Sequence, residues 1–175
     1  MTSERSGLDD AGERPVTGIE VLVLAIDDGH GAAHVAIPAA LVREVARVDR
    51  VTPYPGAPDD VPGVAAVHGQ IVSVLDLVSG AAGERSVVLL AVGTRALALA
   101  GGSPLRVARA VLEAAPPRLG PSSAIGLWSG RLLPLAATVR LLGASRHDAA
   151  EDSVLPLLDA AALIDDVVDD SDGER

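Results

Sequence analysis

Short apolar runs separated by turn-forming residues make up most of the chain. The runs come in four pairs: residues 19–26 with 32–37, 64–67 with 71–75, 86–92 with 95–100, and two runs within 124–135. Successive side chains of a strand point to opposite faces and tight turns favour Gly and small polar residues, so each pair predicts a β-hairpin. The long helical segments that parallel crossovers need are missing from the pattern. The sequence therefore predicts a mainly all-β fold of small barrels.

Two stretches depart from the hairpin pattern. After Pro38, apolar residues recur at helix-like spacing from Leu41 to Val48, but the valines limit this helix to a turn or two before a strand resumes. Residues 51–63 contain four prolines, each of which removes a backbone hydrogen-bond donor. This second stretch is predicted to be an ordered loop or a polyproline-like connector between the first two hairpins.

The chain divides into one folded unit and a polar segment on each side of it. Residues 1–18 are polar with interspersed Gly and Pro, which predicts a flexible tail. The folded unit covers 19–164, and the acidic run at 165–175 is predicted to be a solvated tail. Within the unit, 131–142 and 153–164 share a strand, a Pro and an Ala/Leu segment that suits a helix. The repeat leaves open which of the two is an additional terminal element packed on the core.

Composition removes several classes of function. The chain has no Cys, which excludes disulfide scaffolds, thiolate metal sites and cysteine nucleophiles. All 14 basic residues are Arg. Without Lys there is no P-loop lysine, Schiff-base lysine or Ser/Lys dyad, because each needs a primary amine.

Charge is concentrated at one end of the chain. Of the net charge of −10, residues 1–147 account for −1, with 14 acidic and 13 basic groups, and residues 148–175 for −9, with 10 acidic groups and one Arg. A nucleic-acid binder would need a basic stripe and stacking rings, and this chain has one Trp, one Tyr and no Phe. The pattern contains no uncharged stretch that suits a membrane span and no apolar signal core at the start. A cytoplasmic protein is expected.

Catalytic constellations are weak in this sequence. His68, Ser73 and Asp76 form a candidate triad, but positions 68 and 73 face opposite sides of an extended strand, and 68 and 76 lie about 26 Å apart along it at ~3.3 Å per residue. The segment 126–130 is not a nucleophile elbow, since Ser129 stands one place too late. A non-enzymatic protein is the favoured interpretation, with no catalytic residues assigned.

Metal binding has a candidate in the first hairpin. His30 and His34 lie close to Asp27 and Asp28, but four ligands at a recognised spacing are not present, and Asp-Asp-Gly is ordinary turn chemistry. The turn is the preferred interpretation, so neither a metal nor a cofactor is predicted.

A specific order of motifs begins at residue 36. It consists of AIP at 36–38, LVREV at 41–45, TPYPGAPDDVPGV at 52–64 and HGQIVSVLDL at 68–77, followed by further hairpins. This order resembles that of CheW-like domains, the coupling proteins of bacterial chemotaxis. The resemblance covers roughly residues 19–142, extending towards 165, and is strongest at 36–78.

The resemblance implies two small, SH3-like, five-stranded β-barrel subdomains with short helices and a shared hydrophobic core. It also implies an adaptor that binds the cytoplasmic tip of a methyl-accepting chemoreceptor and a CheA-type histidine kinase. The positions that match the family's receptor-binding region are Val42, Glu44, Gly63, Val64, His68 and Gly69. The alternative for the two valines and the glycines is a purely structural role in the core and in turns.

Two departures from the family pattern bear on function. His68 stands where the family usually has Arg, so a carboxylate contact there is weakened or made pH-dependent. This substitution supports an alternative function, a diverged regulatory module that binds a kinase but has lost standard receptor coupling. Ala136 and Ala137 stand where the last family strand runs into Leu-Asp, a pair found later at Leu158 and Asp159. The register of the C-terminal third is therefore open.

Overall fold

The structure is a computed structural model that describes residues 18–27, 32–57, 59–78, 85–113, 127–128, 131–132, 134–142 and 154–172. The strands and the helix are β1 (Ile19–Asp27), β2 (Ala32–Pro38), β3 (Val42–Val48), β4 (Gly63–Val67), β5 (Gln70–Asp76), β6 (Arg85–Val92), β7 (Arg95–Ala100), β8 (Gly102–Glu113), β9 (Leu127–Trp128), β10 (Arg131–Leu132), β11 (Leu135–Leu141), β12 (Val154–Leu158) and α1 (Ala160–Asp172). A single 3-10 turn at Ala39–Leu41 precedes β3. Of the residues at helix-like spacing from Leu41 to Val48, only Leu41 lies in this turn, and the others belong to the strand β3.

The strands form two five-stranded subdomains. The first is a closed barrel in the order β1-β2-β12-β11-β8, and the second is a sheet in the order β3-β6-β7-β5-β4. The four predicted hairpins are confirmed as the antiparallel pairs β1–β2, β4–β5, β6–β7 and β9–β10. The chain starts in the first subdomain, builds the whole second subdomain and then returns, so the second subdomain is an insertion in the first. The predicted fold class of paired five-stranded subdomains is confirmed.

The two subdomains share a core because several strands bury both faces. On β1, Val21 and Val23 point into the first barrel, whereas Leu22 and Leu24 point into a layer between the subdomains. Strands β6 and β7 alternate in the same way between that layer and the interior of the second subdomain. Alternation of side chains on a strand produces this arrangement when both faces are apolar. These strands therefore appear in the sequence as continuous apolar runs.

Residue size separates the shared layer from the subdomain interiors. The second subdomain is filled mainly by Val and Ala, whereas the shared layer on the other face of the same strands contains many Leu and Ile side chains. A small barrel has little interior space, so small side chains suit it, and the larger ones fill the gap between the subdomains. The aliphatic composition of the chain follows from this division.

Helix α1 connects the end of the first subdomain to the second. It begins after Asp159, whose Oδ1 accepts a hydrogen bond of 3.0 Å from the backbone N–H of Ala162 and caps the helix. Leu163, Ile164 and Val167 are buried in the shared layer. Residue 165, where the sequence predicts the start of an acidic tail, lies inside this helix, and Val167 completes the apolar stripe that packs on the core.

The two copies of the repeat, 131–142 and 153–164, differ in the structure that they form. Both copies supply a strand, β11 and β12, and these strands pair with each other in the first barrel. Only the second copy continues into a helix, α1, so it provides the additional terminal element.

None of the helices in the described ranges has the length and apolar character of a membrane span.

Candidate partner-binding surface

The turn between β4 and β5 presents His68 at one end of the second subdomain. Val67 pairs with Gln70, so only His68 and Gly69 form the turn. Both have positive φ angles, 47° and 77°, which is the geometry of a type I′ turn. Gly adopts this conformation freely and His is among the side chains that tolerate it. The prediction that Gly69 supplies a positive φ is confirmed.

Glu44 on β3 contacts His68 although 24 residues separate them in sequence. The Glu44 Oε2 atom lies 2.9 Å from His68 Nε2. An ionised carboxylate only accepts hydrogen bonds, so Nε2 carries the donated proton. The His68 side chain is 75% exposed and that of Glu44 is 32% exposed, so the pair lies at the surface within reach of a partner. The structure thus brings together three of the predicted positions, Glu44, His68 and Gly69.

A β-bulge in β3 lies directly beside this pair. Val42 pairs with Leu90 and Glu44 with Leu89, so Arg43 is the extra residue. Bulges change the direction of side chains and are frequent at the rims of barrels. The Arg43 NH1 group donates a hydrogen bond of 3.1 Å to Gln70 Oε1, which follows the His68–Gly69 turn. Arg43 is therefore held towards the β4–β5 hairpin.

An open groove of about 570 Å³ adjoins the same hairpin. It lies between the start of β3 and the two turns at 68–69 and 93–94, and we call it the Arg43–Arg95 groove. Its polar lining residues are Arg43, Gln70, Thr94 and Arg95, and its apolar lining residues are Ile71, Val72, Ala91 and Ala96. The groove and the Glu44–His68 pair form one continuous end of the second subdomain.

Gly63 and Val64 lie at the other end of the β4–β5 hairpin. Gly63 and Val67 are four positions apart, about 13 Å at ~3.3 Å per residue in a strand. Thr52 and Val64 exchange backbone hydrogen bonds of 2.8 and 2.9 Å, which attach the proline-rich loop to β4. A Cβ on Gly63 would overlap the Thr52 carbonyl oxygen. The structure thus gives Gly63 a packing role and does not bring it or Val64 next to His68.

The two predicted valines are both partly buried. Val42 packs against the shared layer between the subdomains. Val64 is half-buried and opposite Ser73 on β5. Each has a structural role of the kind that the sequence left open, and each retains some exposed surface.

Sequence reasoning did not find the buried ion pair between Asp76 and Arg85. The Asp76 Oδ2 atom lies 2.5 Å from Arg85 NH1, with side-chain exposures of 6% and 16%. The other oxygen accepts a hydrogen bond of 3.2 Å from the backbone N–H of Val78. An acidic residue at the end of an apolar strand is a sequence signal for a buried charge, and a buried charge needs a partner. Its partner lies nine positions later in the chain, and sequence spacing alone does not reveal the pairing.

The candidate triad of His68, Ser73 and Asp76 is not assembled. His68 bonds to Glu44, and Asp76 bonds to Arg85 at the far end of β5. Of the candidate metal ligands, Asp28 and His30 lie outside the described residues. Among the residues that the structure describes, no group of three or more His, Asp or Glu side chains is placed to hold a metal ion.

Comparison with known protein families gives the context of this surface. The sequence profile of the CheW-like domain family matches residues 20–168. The chain belongs to the CheW-like domain family. The match includes both subdomains and most of α1, so helix α1 falls within this CheW-like domain.

A solved structure agrees with this assignment. The CheW-like chain is similar in fold to the scaffolding protein TtCheW from Thermoanaerobacter tengcongensis, with a TM-score of 0.56 and 12% sequence identity. The similarity covers 81% of this chain and 89% of that one. No match was found among curated protein sequences. At this identity the likeness shows the shared fold.

Proposed function

We propose that this CheW-like chain is a non-enzymatic adaptor of chemotaxis-type signal transduction. It couples the cytoplasmic tip of a chemoreceptor to a CheA-type histidine kinase, and it acts in the cytoplasm where that tip lies. Membership of the family over residues 20–168 supports the adaptor class. The scaffolding role named for TtCheW, which has the same fold, agrees with it.

The observation that carries the receptor part of the proposal is the contact between Glu44 and His68. These residues come from different strands and form one exposed polar pair at the end of the second subdomain. The family's receptor-binding region maps to the same positions. A flat, exposed pair on a rigid sheet suits recognition of a protein surface, because binding sites held on strands keep their geometry.

A second candidate function follows from the same contact. Where the family usually has Arg, His68 donates its Nε2–H to Glu44, so the two polar groups satisfy each other. A receptor carboxylate would have to compete for that donor. This favours, as the alternative, a diverged module that binds the kinase and has lost standard receptor coupling.

Direct binding measurements separate these functions. The full chain is titrated by calorimetry with a chemoreceptor tip fragment and, separately, with the regulatory domain of a CheA kinase, both from the organism that makes the protein. The adaptor binds both, whereas the diverged module binds the kinase domain alone. A folded chain that binds neither would remove the proposal.

A matched pair of variants tests the surface. Glu44→Gln removes the charge at the proposed contact, and Glu20→Gln makes the same change at an exposed position on β1 of the other subdomain. Glu44→Gln is expected to weaken receptor binding by about five- to tenfold, as for a lost charged contact at an interface. Glu20→Gln is expected to leave it unchanged.

A further inference from the structure

We propose that the Arg43–Arg95 groove binds a carboxylate side chain of the receptor tip, with Ile71 as the adjoining apolar contact. This inference rests on the proposed adaptor function and specifies the chemistry of the partner. It assigns to Arg43 a cationic role at the surface where the family's usual Arg is replaced by His68.

Arg43 carries a charge that the described part of the chain does not neutralise. Its bonded partner is the neutral amide of Gln70, at 3.1 Å. A guanidinium has five N–H donors arranged as a fork that matches a carboxylate. Gln70 uses one of these donors and fixes the side chain, so a carboxylate meets a guanidinium that is already oriented.

Arg95, the second arginine that lines the groove, already has an acidic partner in the chain. Its NH1 group lies 2.6 Å from Asp165 Oδ1 on α1, with side-chain exposures of 43% and 62%. Such an exposed pair is screened by water and contributes little to stability. Arg95 therefore supports the positive potential of the groove, and Asp165 limits it.

The apolar lining residues make the groove suit a protein segment. Ile71 is 76% exposed, which is a large unpartnered area for an aliphatic side chain next to two arginines. A partner that places an apolar residue beside an acidic one covers both features together. Adjacent acidic and apolar side chains are a common arrangement on an amphipathic helix.

A protein carboxylate fits the charges better than a nucleic acid or an anionic membrane does. Those polyanions need a broad basic surface, whereas the chain has a net charge of −10. Asp165 on α1 also contacts Arg95 and lowers the positive charge of the groove. The groove is thus a local cationic spot, which favours one carboxylate held at short range.

The test compares Arg43→Gln with Arg50→Gln in the full chain. Arg50 is exposed just beyond the opposite end of β3, so both variants change the net charge equally. Calorimetry with the receptor tip fragment is expected to show tenfold or weaker binding for Arg43→Gln and no change for Arg50→Gln. Thermal unfolding checks that both variants fold.

Two further variants examine the chemistry. Asp165→Asn removes one negative charge that contacts Arg95 beside the groove and is expected to tighten receptor binding about two- to threefold. A set of receptor tip fragments, each with one exposed Glu replaced by Gln, identifies the carboxylate that binds the groove. The fragment that lacks this carboxylate is expected to bind the wild-type chain as weakly as it binds Arg43→Gln.

The results of these binding experiments distinguish a failure of the groove inference from a failure of the adaptor proposal. If wild type binds the tip and Arg43→Gln binds as Arg50→Gln does, the groove inference is overturned and the adaptor function stands. Loss confined to kinase binding, or Arg43-dependent binding to phosphatidylglycerol vesicles or single-stranded DNA without any effect on the tip, also overturns it. If the folded wild type binds neither tip nor kinase domain, both proposals fall.

Discussion

The carboxylate of Asp76 and the guanidinium of Arg85 form a buried ion pair, 2.5 Å apart, between the end of β5 and the start of β6. The surroundings of Asp76 are also closely packed. The Asp76 backbone N–H donates a hydrogen bond of 2.8 Å to the Asp60 carbonyl. Gly101 leaves no room for a side chain, since a Cβ there would lie 2.8 Å from the Asp76 Oδ1 atom. The pair therefore joins the proline-rich loop, β5 and β6 at the end of the second subdomain opposite the candidate surface.

Asp76→Asn is expected to destabilise the fold by about 2–3 kcal/mol, because it leaves the Arg85 charge partly buried and unpaired. Urea unfolding followed by circular dichroism measures the change. Asp49→Asn, at an exposed position, is the control and should change stability by less than about 0.5 kcal/mol. The double variant Asp76→Asn/Arg85→Gln should recover part of the loss. A coupling free energy near zero would contradict the assigned role of the pair.

Gly63 and Gly69 are expected to respond differently to the same substitution. Gly63→Ala places a methyl group against the Thr52 carbonyl and should cost about 2–4 kcal/mol. Gly69→Ala meets nothing within 4 Å, so only its positive φ of 77° opposes the change, at about 1 kcal/mol. The same urea measurement compares the two. Equal losses would show that the Thr52 contact does not restrict Gly63.

The hairpins and the fold class were predictable because they follow from local patterns. Alternating apolar runs and the turn at His68–Gly69 carry their own information, and the family motifs gave the pairing of two subdomains. Helix α1 was harder to predict from the sequence. Its acidic residues suggested a solvated tail, and only the burial of Val167 among strands distant in sequence shows that the segment belongs to the core.

The candidate surface was only partly predictable, because its contacts also join residues that are distant in sequence. The motifs named Glu44 and His68, but the contact between them needs β3 to lie beside the β4–β5 hairpin. Arg43 carries no distinctive signal in the sequence, because a single Arg among apolar residues is typical of any exposed position. Its role depends on a bulge, which arises from the register with β6 and not from the residues of β3 alone.

His68→Arg restores the residue type that the family usually has at this position. The guanidinium is always charged and offers more donors, so Glu44 no longer satisfies it fully. Receptor tip binding is expected to strengthen about fivefold, the effect of about 1 kcal/mol from a charge-assisted hydrogen bond. Calorimetry measures it, with His68→Asn as a control that keeps a residue tolerant of positive φ. Unchanged affinity for His68→Arg would contradict a receptor contact at this position.

Ile164 on α1 is fully buried in the shared layer. Ile164→Ala is expected to destabilise the protein by about 2–5 kcal/mol through lost packing and a residual cavity. Asp165→Asn, the adjacent exposed position, should cost no more than about 1 kcal/mol. Both are measured by urea unfolding. If Ile164→Ala were as stable as wild type, α1 would not be part of the cooperative core.

The central claim, that this CheW-like chain couples a receptor to a kinase, is tested most directly by assembly of the three components. The receptor tip fragment and the kinase regulatory domain are mixed with and without the chain and followed by sedimentation velocity. The account predicts that the kinase domain sediments with the tip only when the chain is present, and less so with Glu44→Gln. A folded chain that leaves the two sedimenting separately would contradict it.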